Sequence, residues 1–133
     1  MSGLPLLIQS LFTNVTADTT TTSATFVDLL TQTITTGANS LELLFTISAS
    51  TSSGNKNIGF QILIDGTVQR GGGLSTSSAN SSISGVVSHK ATVSAAAHTV
   101  KVQWLVSGGT AAINVATTPA EYHASLWVKE VPT

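Results

Sequence analysis

Apolar and polar residues alternate along nearly the whole chain, and that period of two leaves few folds open. The clearest run is His98-Thr99-Val100-Lys101-Val102-Gln103-Trp104-Leu105-Val106. Val100, Val102, Trp104 and Val106 leave one side of an extended backbone, and Thr99, Lys101 and Gln103 leave the other, because successive side chains of a strand point to opposite faces. Leu41, Leu43, Phe45, Ile47 and Ala49 repeat the pattern, as do Ile58, Phe60, Ile62 and Ile64. No helical period of useful length is present. About eight strands separated by turn signals point to an all-β sandwich or barrel.

The connections read as follows. Residues 13–23 are a polar, Thr-rich connection, and the alternation slips at Leu29-Leu30, which marks a break or bulge. Gly37-Ala38-Asn39 and Asp65-Gly66 are turns. Residues 70–78 (RGGGLSTSS) read as the most flexible segment, and residues 107–110 as a hairpin loop. The closing strand is expected over residues 122–131.

At 133 residues, one domain spanning 1–133 is expected, with residues 1–12 as an N-terminal strand or arm. The chain has no Cys, so no disulfide supports the core. Only 8% of residues are charged, against about 25% in typical soluble domains. The net charge is −1 and the five cations, Lys56, Arg70, Lys90, Lys101 and Lys129, are scattered along the sequence. Nucleic-acid binders usually carry a basic patch, so no nucleic-acid partner is expected. No stretch reaches the roughly 18 apolar residues of a membrane span, and the first residues lack the basic region of a secretory signal. A Thr-rich, sparsely charged surface leaves two readings open: a neutral extracellular β domain, or a subunit whose surface is covered by other subunits.

Off-phase apolar residues bear on that choice. With the alternating sets turned inward, Leu44, Leu63, Leu105 and Trp127 face outward on four strong strands. Single exposed apolar residues are ordinary. Four of them, one a Trp, point to a second buried face in a homo-oligomer, since aromatic anchors characterise interface centres.

The search for chemistry yields no site. His89, His98 and His123 show no metal-ligand spacing, and no metal or cofactor is expected. Asp65 reads as a turn residue, and Glu42 and Glu130 as solvated strand positions. No nucleophile elbow is present, and Gly71-Gly72-Gly73 lacks the Lys-Ser/Thr of a phosphate loop. Exposed Trp127 or Tyr122 stacking on a sugar is the remaining small-ligand reading.

The runs Ile8-Gln9-Ser10, Thr25-Phe26-Val27-Asp28-Leu29 and Thr33-Ile34-Thr35-Thr36-Gly37, with Phe60-Gln61-Ile62-Leu63-Ile64-Asp65-Gly66 and His98-Thr99-Val100-Lys101-Val102-Gln103-Trp104, resemble small jelly-roll virion proteins of tailed bacteriophages. These in turn resemble the tumour-necrosis-factor/C1q-like trimeric sandwich. Ala97 stands where that pattern has Gly. The resemblance implies a two-sheet antiparallel jelly-roll sandwich of about eight strands and no enzymatic activity. It implies a homotrimeric head decoration (cement) protein, made in the host cytoplasm and placed on the virion capsid surface. The implied partners are its own copies and the major capsid protein, with no membrane. Leu44, Leu63, Leu105 and Trp127 are then candidates for the protomer interface, and Leu4, Leu6, Leu7 and Ile8 for contact with the shell or a neighbour. The alternative is a tail-fibre or baseplate module that binds a receptor or glycan through residues 70–78.

Overall fold

The computed structural model describes residues 7–115 and 124–133. Among them are ten strands and no helix: β1 (Gln9–Asn14), β2 (Thr19–Thr21), β3 (Val27–Thr36), β4 (Ser40–Thr51), β5 (Lys56–Ile64), β6 (Thr67–Thr76), β7 (Ile83–Thr92), β8 (Ala96–Val106), β9 (Ala111–Ile113) and β10 (Ser125–Val131). A six-stranded sheet runs β1-β10-β4-β9-β2, with β7 also paired to β4, and a four-stranded sheet runs β3-β8-β5-β6. Every pairing is antiparallel. With the three-residue β2 and β9 set aside, the eight longer strands in chain order give 1-8-3-6 and 2-7-4-5. That is a jelly roll, two sheets wrapped round one core.

The alternating sets build that core. Leu41, Leu43, Phe45, Ile47 and Ala49 of β4 and Val100, Val102, Trp104 and Val106 of β8 are all at most 2% exposed. Phe45 and Phe60 meet edge to face across the two sheets, with centroids 5.4 Å apart. The slip at Leu29-Leu30 is a β-bulge: the register with β8 shifts between Asp28 and Leu30. Asp65 (φ 50°) and Gly66 (φ 82°) both sit in the left-handed region. Two positive φ values in a row define the tight turn whose twist matches a hairpin, here β5–β6.

Three sequence expectations change. Residues 70–76 are not a loop but the second half of β6, paired to β5 through Gly71, Gly72 and Gly73. Glycine weakens strand preference, so the local signal was a loop signal. Packing is what decides here. A Cβ on Gly72 would lie 2.7 Å from the Phe60 ring and 3.2 Å from Val87 Cγ2, and one on Gly85 would lie 2.6 Å from Leu74 Cδ2. The two glycines leave the space that Phe60 and Leu74 fill where β6 meets β7. Residues 107–110 are not a hairpin either, because β8 and β9 pair with different strands and the chain crosses between sheets there. Residues 13–23 contain the end of β1 and all of β2.

Gly72→Val is therefore expected to cost about 1–3 kcal/mol by overpacking, read as a lower urea midpoint. Gly73→Ala is the control, since its Cβ would meet only the Ile58 carbonyl oxygen at 3.4 Å, and it should be neutral or stabilising. Equal losses at both positions would refute the steric account.

Candidate protein interface

The two outer faces of the sandwich differ in kind. On the four-stranded sheet the middle of the outer face is polar and its side chains are bonded to one another. Gln61 Nε2 donates to Gln103 Oε1 at 2.8 Å, Gln103 Nε2 to Asp28 Oδ1 at 2.9 Å, and Lys101 Nζ lies 3.1 Å from Asp28 Oδ2. The Gln103 and Lys101 bonds hold the Asp28 carboxyl below its ordinary value. These polar groups are satisfied within the chain, and Val68, 53% exposed beside Leu63, is a single exposed apolar residue there.

On the six-stranded sheet, strand register puts Phe12 opposite Trp127 and Trp127 opposite Leu44. The three side chains form one row across β1, β10 and β4. They are 49%, 40% and 39% exposed. Phe12 meets Trp127 edge to face at 5.0 Å. Val86, opposite Thr46 on β7, extends the patch by one row and is also exposed. A contiguous apolar patch on an outer face marks an interaction site, whereas scattered single residues do not.

The four off-phase residues thus fall on two opposite faces and form no single surface. Leu44 and Trp127 are register neighbours. Leu63 lies on the other sheet and is buried at 8% exposure, between Val68 and Lys101 in the register. Leu105 lies over Gly59, whose Cβ would approach its Cδ1 to 3.1 Å. A leucine covering a glycine is explained inside one chain. Leu7 and Ile8 are exposed, and the Ile8 amide donates to the Glu130 carbonyl at 2.9 Å, carrying the β1–β10 pairing onward. Leu4 and Leu6 lie outside the described residues, as do Tyr122 and His123. Phe12 and Val86 were not singled out in the sequence. Phe12 is adjacent to Leu11, so alternation alone does not say which of the two faces out.

Two clusters of polar and charged groups hold one end of the sandwich, joined through Thr36, whose hydroxyl donates to the Ser94 carbonyl. His98 is buried; its Nδ1 meets Asp65 Oδ2 at 2.6 Å and its Nε2 meets the Ser94 carbonyl at 2.8 Å. Both partners accept, so the doubly protonated imidazole is the form that satisfies both contacts. The bonds to Asp65 and then Ser94 raise its pKa above 6.5 despite burial. His98 and the Thr99 amide lower that of Asp65. With Nε2 committed to a carbonyl, this His–Asp pair cannot serve as a general base and acts as a clip between the β5–β6 turn and β8. The sign for stability follows. A raised histidine pKa contributes fully below about 6.5, and the contribution fades as pH rises through the folded value. Thermal stability should therefore fall on alkalinisation from about pH 6 to pH 9. Asp65→Asn keeps a residue that tolerates positive φ and should flatten that fall. An unchanged slope would remove His98 as its source.

Glu130 corrects a second expectation. It is not solvated but 2% exposed, at the inner end of β10. Its carboxylate accepts from Gln9 Nε2 (2.6 Å), Asn39 Nδ2 (2.7 Å) and the Gly37 amide (2.9 Å). These bonds, Gln9's foremost, hold its pKa below 4.5. The cluster joins β1 and the β3–β4 turn to β10. Glu42 is exposed as expected, 3.8 Å from Lys90 Nζ. Among the described residues no three of His, Asp and Glu come together as metal ligands.

No family model and no curated protein sequence matches the chain. Among solved structures, it is similar to a chain in the structure of infectious bursal disease virus, Gx strain, with a TM-score of 0.54 and 12% identity over 96% of this chain. The present chain spans only 38% of that longer one. At such low identity the likeness is one of fold: this is an all-β jelly-roll sandwich of a kind also present in a virus structure.

Proposed function

We propose that the chain is a non-enzymatic structural subunit of a virus particle, a homotrimeric head decoration protein on the capsid of a tailed bacteriophage. One observation carries the reading: the Phe12–Trp127–Leu44 row, a contiguous exposed apolar and aromatic surface on one sheet, while the polar centre of the opposite outer face is satisfied by its own hydrogen bonds. Burying that row between protomers around a threefold axis supplies the assembly energy, each copy contacting the next by the same head-to-tail contact until the ring closes. Leu7 and Ile8, together with Leu4 and Leu6, are proposed to meet the shell or a neighbouring subunit. Binding confined to the assembled shell stabilises that shell by mass action. The similarity in fold to a chain of a virus structure supports a virion role.

The receptor-binding alternative relied on a loop at residues 70–78, and most of that segment is strand β6. The native mass of the purified chain tests the assembly reading. Three copies of a 13.6-kDa chain, about 41 kDa, are expected. A persistent 13.6-kDa species at high micromolar concentration would overturn it.

A further inference from the structure

Three of the five cations, scattered in sequence, come together in space. Arg70 of β6, Lys90 of β7 and Lys129 of β10 line a single depression of about 470 Å³ on the outer side of the six-stranded sheet, with Trp127, Leu44 and Glu42. The depression begins at the Trp127–Leu44 end of the apolar row and runs away from Phe12 towards β7. Three cations face one carboxylate there, in a chain whose net charge is −1. Glu42 answers Lys90 only at 3.8 Å, and both side chains are about half exposed, so it neutralises little. Among the described residues Arg70 has no carboxylate partner, and Lys129 lies over the Trp127 ring at 5.3 Å.

We infer that this depression receives an acidic segment of a different protein, a carboxylate presented beside an aliphatic side chain. The cations would hold the carboxylate, and the methylene stems of Lys90 and Lys129 would cover the aliphatic group at the rim of the protomer contact. The pairing of the described carboxylates within the chain disfavours a second copy as its source. Asp28 is bonded to Lys101 and Gln103, Asp65 to His98, Glu130 is buried, and Asp18 accepts from the Val115 amide. Of the described side-chain carboxylates only Glu42 is weakly engaged, and it lies in the depression itself. A stacked saccharide is disfavoured because Phe12 and Lys129 already engage the Trp127 ring. Arg70 supplies the planar fork suited to bidentate carboxylate recognition. The inference rests on the structural-subunit reading, the acidic segment being a stretch of the protein to which the subunit attaches.

The test is an NMR titration of the ¹⁵N-labelled full chain with a blocked pentapeptide of alternating Glu and Leu, and with the same peptide carrying Gln for Glu. The acidic peptide is expected to shift the Trp127 indole and the Ser88 and Lys90 amides. The indole of Trp104, 1% exposed in the core, should stay still. Raising NaCl from 50 to 300 mM should weaken binding about threefold or more, since exposed charges are screened. Arg70→Gln combined with Lys90→Gln should weaken it about fivefold or more, on the order of 1 kcal/mol. The native mass of that variant separates the two readings: an unchanged mass with lost peptide binding supports a receptor distinct from the protomer contact. Equal shifts by the Gln peptide, or no shift by either, would overturn the inference. A shift produced only by an anionic oligosaccharide would reassign the depression to glycan and overturn it as well.

Discussion

Trp127→Asp is expected to turn the proposed trimer into folded 13.6-kDa monomers. Trp127 is the centre of the row, with Phe12 on one side and Leu44 on the other. Central aromatic residues of this kind carry about 2 kcal/mol or more of binding when truncated. Aspartate replaces the buried aromatic area with a charge that must be desolvated in each interface, which raises the cost further. The fold should survive, because the side chain points away from the core and is already 40% exposed. Within the monomer the substitution removes the edge-to-face contact with Phe12, worth about 0.5–1.5 kcal/mol. Native mass and circular dichroism on the same sample separate the two effects. A variant that stays assembled would remove this face as the protomer contact.

The second large effect belongs to Glu130. Glu130→Gln preserves shape but turns one acceptor oxygen into an amide donor, and Gln9, Asn39 and Gly37 all present donors to it. At least one buried donor is then left facing another. A melting temperature lower by about 5 °C or more is expected. Glu130→Ala, which leaves all three donors without an acceptor, should lower it by about 10 °C. The pH dependence gives an independent reading. A depressed carboxylate pKa stabilises above the unfolded value of 4.5 and loses that contribution as pH falls through the folded value. The wild type should therefore lose stability progressively below pH 4.5, and Glu130→Gln should show a shallower acid limb. An identical acid limb would mean that Glu130 is not the group responsible.

How far the sequence reaches is set by the range of the interactions involved. Alternation is local and is enforced by burial of one face, so the inward sets of β4, β5 and β8 were legible, and so was the bulge at Leu29, where the phase breaks. The Asp65-Gly66 turn was legible because its chemistry lies in two adjacent residues. The glycines of β6 misled because their reason lies elsewhere: Gly72 is small for Phe60 and Val87, and a neighbour from another strand leaves no local mark. Glu130 was misread for the same cause, since its three donors come from 91 to 121 residues away. The outward position of Leu44 and Trp127 could be read from phase. Their union with Phe12, the separation of Leu63 and Leu105 onto the opposite sheet, and the convergence of Arg70, Lys90 and Lys129 could not. Those depend on which strands pair and in what register, and a one-residue slip in pairing would reverse every face.

The central claim is that this chain attaches to a virus shell as a structural subunit. The most direct measurement is co-sedimentation of the purified protein with capsids that lack it. The account predicts saturable binding at a fixed ratio of trimers to shell sites, with the bound capsids more resistant to heat. Protein that assembles yet stays in the supernatant at saturating concentration would contradict it.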